Sequence, residues 1–369
     1  MANPEDTNDL RNKFDEVVDR RFISLLLTQY PPRDLEEPNT SGLDCLTHLI
    51  RHCNAMLTPP SSTQLEEVNP LLQYAWQDFR PPGDGKLDRK KIDERMNDIL
   101  PGCVSFEDYS ESDLMNTTIW SSIEWTLPLG FITPQNGRPT LDHCQDREEL
   151  AKASLIEFDC KQNESLTLQQ AVNRHLMERD GRILAPRSPI FLRVRYSSHP
   201  TGPLPFSSLV TFKLKPIELH NCDNPVVRGA SLDYSLVAAV EMRTNSQGRD
   251  YINTWSAMGY PTMLAETHIV TSGWSVENPN KRFMLVYAQY SRKPGYFVES
   301  YGPADREIPR KPMIQPYVAE STASGREASS EGQGPDKSPN QQGQPQGQAQ
   351  NQQLGQRQDQ PQGQQEGQP

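Results

Sequence analysis

Two short stretches, far apart in the chain, carry residue types able to do covalent chemistry. The first is Asn39-Thr-Ser-Gly-Leu-Asp-Cys45, followed by Leu-Thr-His-Leu-Ile-Arg-His-Cys-Asn-Ala-Met-Leu57. The apolar spacing of 43–57 predicts a buried helix that opens just before Cys45 and is stopped by Thr58-Pro-Pro. A cysteine in the first turn of a helix sits at the positive end of the dipole, beside unpaired N–H groups that favour thiolate. Cys45 is therefore the candidate nucleophile, and an inert, packed cysteine is the competing reading. Cys45, His48, Leu49 and His52 share one helix face by their spacing. Three such side chains can ligate a metal, but nothing nearby completes the set, and no metal or other cofactor is expected. His48 lies too close along the same helix to be taken as a general base, a role that depends on orientation. The second stretch is Gly248-Arg-Asp-Tyr251, where Asp250 ends a polar connection and precedes the strand-like Tyr251-Ile-Asn-Thr-Trp255.

The elements that must position these residues change character along the chain. Residues 7–126 read as helices. One has its apolar face at Leu10, Phe14, Val17, Val18, Phe22, Leu25 and Leu26. Others are expected over Gln64–Phe79, over Leu87–Leu100 and from Phe106, where Glu107-Asp108-Tyr109-Ser110-Glu111 puts acids at a helix start. From Ala153 the periodicity becomes that of strands: Ser154–Cys160, Pro189–Tyr196 with its alternating arginines, and Phe206–Leu219, with a short helix over Thr167–Leu176. Tyr234, Leu236, Ala238 and Val240 alternate with Ser235, Val237, Ala239 and Glu241, the period of a strand packed mainly on one face. Tyr251–Trp255, His268–Thr271 and Arg282–Ala288 continue it as an antiparallel meander. Segregated helices and strands predict an α+β fold, a helical lobe packed on an antiparallel sheet.

The chain has 369 residues, 34% of them hydrophobic, and a formal net charge of −11, enough for one large domain or two modest ones. An acidic balance argues against nucleic acid as a partner. The sequence holds no run of eighteen apolar residues, and its start lacks a basic and then apolar leader, so no membrane association and an intracellular, cytoplasmic or nuclear setting are expected. The six cysteines (45, 53, 103, 144, 160, 222) form no Cys-x-x-Cys pair and read as free thiols. Residues 317–369 run into Gln/Gly/Pro-rich sequence with almost nothing apolar, the composition of a disordered tail.

Taken in order, these motifs resemble the ubiquitin-specific protease family. Gly42 stands three residues before Cys45, as in that family's cysteine box, with Asn39 one residue upstream of the family's oxyanion asparagine and Leu46 where an aromatic residue follows the cysteine. Glu107–Glu111 is similar to the family's Gln-Gln-Asp-x-x-Glu segment, and Leu232–Arg243 to its Tyr-x-Leu-x-Ala-Val strand. The tetrad 248–251 falls where the family has Gly-Gly-His-Tyr, so Asp250 occupies the place of the general-base histidine. Glu277 or Asn278, behind Trp274, would stand for the third member. The resemblance implies a papain-like domain over 36–291 (helical lobe 36–130, sheet lobe 150–291), preceded by an amphipathic helix and linker at 1–35. Lacking paired Cys-x-x-Cys motifs near 150–190, it would have no zinc insertion.

The site implied is Cys45, Asn39 and Asp250. A carboxylate is a poor base near neutrality and a negative charge disfavours thiolate, so the domain is expected to be catalytically impaired and to act by binding ubiquitin or a ubiquitinated protein. The alternatives are an active cysteine-type deubiquitinase whose base is displaced, with His268 as candidate, and an α+β assembly module unrelated to ubiquitin.

Overall fold

The computed structural model describes residues 40–54, 56–57, 68–77, 94, 96–135, 138–161, 166–177, 183–201, 203–216, 218–221, 224–226, 230–256, 259, 261–262 and 274–290. All fall within the first of two units of the chain, Met1–Pro309, which is treated alone here. The expected amino-terminal helix, Asn39, His268 and the Gln/Gly/Pro-rich tail lie outside the described residues.

Among the described residues, helices α1 (Ser41–Asn54), α2 (Pro70–Ala75), α3 (Phe106–Ser110) and α4 (Asp113–Thr117) come first, and residues 96–99 are helical too. Their starts follow from local chemistry. Asn69 accepts from Leu71 N–H ahead of Pro70, and Ser105 and Asp108 form a reciprocal capping box. Ser112 caps again seven residues on, so the helix expected from Phe106 is divided into two short ones. Strands β1 (Pro128–Gln135) and β2 (Arg138–Asp142), then α5 (Arg147–Ala153), β3 (Leu155–Asp159), α6 (Leu168–His175), β4 (Ile183–Pro186) and β5 (Phe191–Ser197) follow. The chain continues with β6 (Thr211–Leu214), β7 (Glu218–Asn221), β8 (Asn224–Val226), β9 (Leu232–Met242), β10 (Tyr251–Thr254) and β11 (Arg282–Tyr290).

The architecture is α+β, with two departures from the expected antiparallel sheet. The central sheet runs β10-β9-β11-β5-β3, with β6 also paired to β9, and β3 lies parallel to β5. Parallel neighbours need a crossover, and the connection carrying α6 supplies it. Strands also begin before residue 153: β1, β2 and β4 form a separate three-stranded sheet. Prolines hide these strands from the sequence pattern. Pro128 opens β1, and Pro134 near its end faces Pro139 of β2.

The expected hairpin of β9 and β10 forms, with Tyr251 opposite Glu241 and Thr254 opposite Ala238. The meander does not. β11 pairs with β9 and β5 and so lies between them, and β9 is buried on both faces from Tyr234 to Met242 by the cores on either side of the sheet. The one-faced alternation expected for β9 is broken as well. A bulge opposite Val286–Tyr287 inserts Val237, so Ala238 and Val240 join the core under the helices while Tyr234 and Leu236 join the core on the other face. No helix among the described residues is long and apolar enough to cross a membrane.

Candidate functional site

The helix that carries Cys45 starts a turn earlier than the sequence implies. Ser41 is its first residue, and Asp44 N–H already donates to the Thr40 carbonyl (3.0 Å). Cys45 is thus the fifth residue, past the turn where dipole and unpaired N–H groups act on a thiol. It is also wholly buried. Burial first, then the Asp250 and Asp44 carboxylates, push its thiol well above the usual range, with Arg243 opposing. These are the surroundings of a protonated, unreactive cysteine.

The structure brings Asp250 to the same end of the helix. Asp250 immediately precedes β10, is fully buried, and donates its N–H to Ser41 Oγ (3.1 Å). Its carboxylate is surrounded by donors. Oδ1 accepts from Arg243 N–H (2.9 Å); Oδ2 accepts from Arg243 Nε (2.9 Å), Phe106 N–H (3.2 Å) and Ser41 Oγ (3.5 Å). An ionised carboxylate offers about four acceptor sites. Four donors reach it here, three at Oδ2 and one at Oδ1, with the Arg243 guanidinium against Oδ2. Arg243 also donates through Nη2 to the Val104 carbonyl and to Ser41 Oγ (3.4 Å), and its side chain is only 5% exposed. One buried ion pair thus ties α1, the chain entering α3 and the β9–β10 hairpin together.

These pieces meet without a gap at Gly42. A Cβ on Gly42 would lie 2.4 Å from Phe106 N and from the Ser105 carbonyl carbon, so backbone meets backbone directly over the opening turn of α1. Glycine is required here for close approach.

The remaining candidates fall elsewhere. Glu277 accepts from Phe206 N–H (2.7 Å), and the Asn278 carbonyl accepts from Ser198 Oγ (2.9 Å). His48 and His52 are buried against β10 and the residue after it: His48 Nε2 lies 3.4 Å from Thr254 Oγ1, and His52 Nε2 donates to the Trp255 carbonyl (3.1 Å). Burial foremost holds their pKa values at about 3 and about 4, so both are neutral. No group of three ligating side chains among the described residues could hold a metal. The Glu107–Glu111 segment fastens α3 to the sheet: Glu107 forks onto Arg282 of β11, and Glu111 pairs with Arg195 of β5.

Sequence reasoning missed Arg243. The signal was a basic residue at the end of β9, across a polar turn from an aspartate at the start of β10. A hairpin places such residues side by side.

Comparison with known proteins adds a likeness. No protein-family model matches the chain, and neither does any curated protein. Among solved structures, it is similar to the Saccharomyces cerevisiae Pan2 pseudoubiquitin hydrolase–RNA exonuclease module in complex with AAUUAA RNA. The identity is 11% over 81% of this chain and 55% of that one, with a TM-score of 0.26. It is also similar to the S. cerevisiae PAN2 pseudoubiquitin-hydrolase, at 11% identity over 76% of this chain and 89% of that one, TM-score 0.25. The chain spans about half the length of the first module (55%). Scores of 0.25 and 0.26 are too low to establish a shared fold, and the functional reading stands on this chain's own geometry.

Proposed function

We propose that this chain is a degenerate, papain-like domain of the ubiquitin-specific protease kind, catalytically silent, that acts by binding ubiquitin or a ubiquitinated protein. The observation that supports it is the pairing at the amino end of α1. A cysteine-box helix meets the hairpin that would carry the imidazole, and an arginine-neutralised aspartate stands there instead. Isopeptide hydrolysis needs a proton acceptor for the thiol and later a donor for the leaving amine. Asp250, a weak base whose Oδ2 takes three donors including the Arg243 guanidinium, is unsuited to either role. The motifs have kept their order while the chemistry has been exchanged for a structural ion pair.

Two measurements test this. Ubiquitin bearing a carboxyl-terminal electrophile is expected to leave Cys45 unlabelled, and fluorescent ubiquitin titrated with the protein is expected to bind saturably. Labelling that disappears in Cys45→Ala overturns the silent reading in favour of an active peptidase. Absence of any binding overturns the ubiquitin reading altogether.

A further inference from the structure

Residues 101–105 cover the opening turn of α1 yet bury almost nothing of their own. Pro101, Gly102 and Val104 are exposed, Cys103 and Ser105 are half-buried, and the first buried side chain is that of Phe106. Gly102 holds φ at 80°, and nothing lies within 4 Å of where its Cβ would be. That positive φ suits glycine, and the turn is unpacked on that side. Cys103 packs against the helical core, and the Val104 and Ser105 N–H groups donate to Asp108 (3.2 and 2.9 Å); the rest of what holds the segment down is polar as well. The Val104 carbonyl accepts from Arg243, Phe106 N–H donates to Asp250, and the Ser105–Phe106 backbone rests on Gly42. Segments with little buried apolar surface and few anchoring bonds open at a fraction of the free energy of global unfolding.

We propose that residues 101–105 are a plug over the amino end of α1 that opens as a local unit, with Arg243 as its latch, and that this opening is what admits solvent to Cys45. The inference takes the site, not the partner, from the functional reading. Gly42 and Cys45 are one turn apart on the same helix face, so a segment lifting from Gly42 uncovers the approach to Cys45. Cys53, at the far end of the same helix, is buried alike (2% against 0% exposed) and lies outside these bonds. It is an internal reference.

The test is N-ethylmaleimide labelling of the full chain, read cysteine by cysteine by mass spectrometry across low urea concentrations. Cys45 is expected to label at least about tenfold faster than Cys53 and at a rate flat in urea, while the Cys53 rate climbs with urea as global unfolding does. Arg243→Ala is expected to accelerate Cys45 and keep it ahead of Cys53, whose rate rises with the loss of overall stability. The direction is diagnostic. Against burial and two carboxylates, Arg243 is the group favouring the Cys45 thiolate, so its loss would slow a thiol that was already accessible. Equal rates and equal urea slopes at Cys45 and Cys53 in the unmodified protein overturn the plug, and so does slower Cys45 labelling in folded Arg243→Ala. Should that variant fail to fold, the unmodified protein alone decides. Ubiquitin binding is read in a separate titration, so failure of one reading is distinguishable from failure of the other.

Discussion

The two faces of the central sheet are built to different rules. On the face away from α1, aromatic rings fill the space: Tyr196 against Phe283 at 5.9 Å, Phe212 against Tyr234 at 5.3 Å and Tyr287 at 4.8 Å, Trp274 against Trp255 at 6.0 Å. On the helical side the buried set includes charges and imidazoles. Arg193 lies 4.3 Å over the Trp120 ring and donates to the Ala151 carbonyl (2.8 Å). Arg51 reaches the Ala75 and Gln77 carbonyls at the end of α2. Burial, first, lowers Arg193 to a pKa of about 9, which leaves it protonated at neutrality. Ring packing is roughly non-directional and many sequences satisfy it. A buried charge is stable only while each of its partners is in place. The helical side is therefore the more specified half and the more easily broken.

The sharpest way to break that contrast is to orphan one charge. Arg243→Ala leaves the Asp250 carboxylate buried without its cation, and a loss of about 3–5 kcal/mol is expected in urea unfolding. Adding Asp250→Asn removes the orphaned charge and is expected to recover part of that loss. If the single variant unfolds at the same urea midpoint as the unmodified protein, the ion pair does not hold the helical side together.

Acid is expected to act on the helical side as well. His48 and His52 fold neutral, with pKa values near 3 and near 4, whereas an unfolded chain protonates its histidines near pH 6.5. Below that pH the unfolded state binds more protons, so stability falls as pH falls. The slope approaches about 1.4 kcal/mol per pH unit for each histidine until its folded pKa is reached. Urea midpoints between pH 6.5 and 4.5 measure this. Replacing both histidines by Gln is expected to flatten the dependence, and an unchanged slope would assign it to other groups.

The aromatic face should respond least. Phe283→Leu keeps an apolar group of similar volume among Tyr196 and Trp274 and is expected to cost no more than about 1.5 kcal/mol. A cost equal to that of Arg243→Ala would erase the distinction between the faces.

What could be read in the sequence divides along the same line. Alternation and turn residues located β9, β10 and the hairpin joining them, because a local pattern encodes local pairing. The spacing of Leu43, Leu46, Leu49 and Ile50 located α1, although the helix begins a turn earlier than that spacing implies. The position of β11 between β9 and β5 was not legible, since neighbourhood in a sheet depends on pairing between segments distant in sequence. Nor was the role of Asp250. From the sequence it is a missing imidazole; its four donors come from Ser41, Phe106 and Arg243, on three separate elements.

The extra residue in β9 has a consequence for how this gene product can vary. Val237 is what puts Tyr234 and Leu236 on one face and Ala238 and Val240 on the other. Deleting Val237 would remove the bulge and leave a plain strand with Leu236 and Ala238 still on opposite faces, whereas deleting a residue away from the bulge would turn one half of the strand over. Loss of one residue is absorbed at the bulge; elsewhere along the strand changes of two preserve the sides and changes of one do not. Along this strand the limit on insertion and deletion is set by parity, and side-chain chemistry comes second.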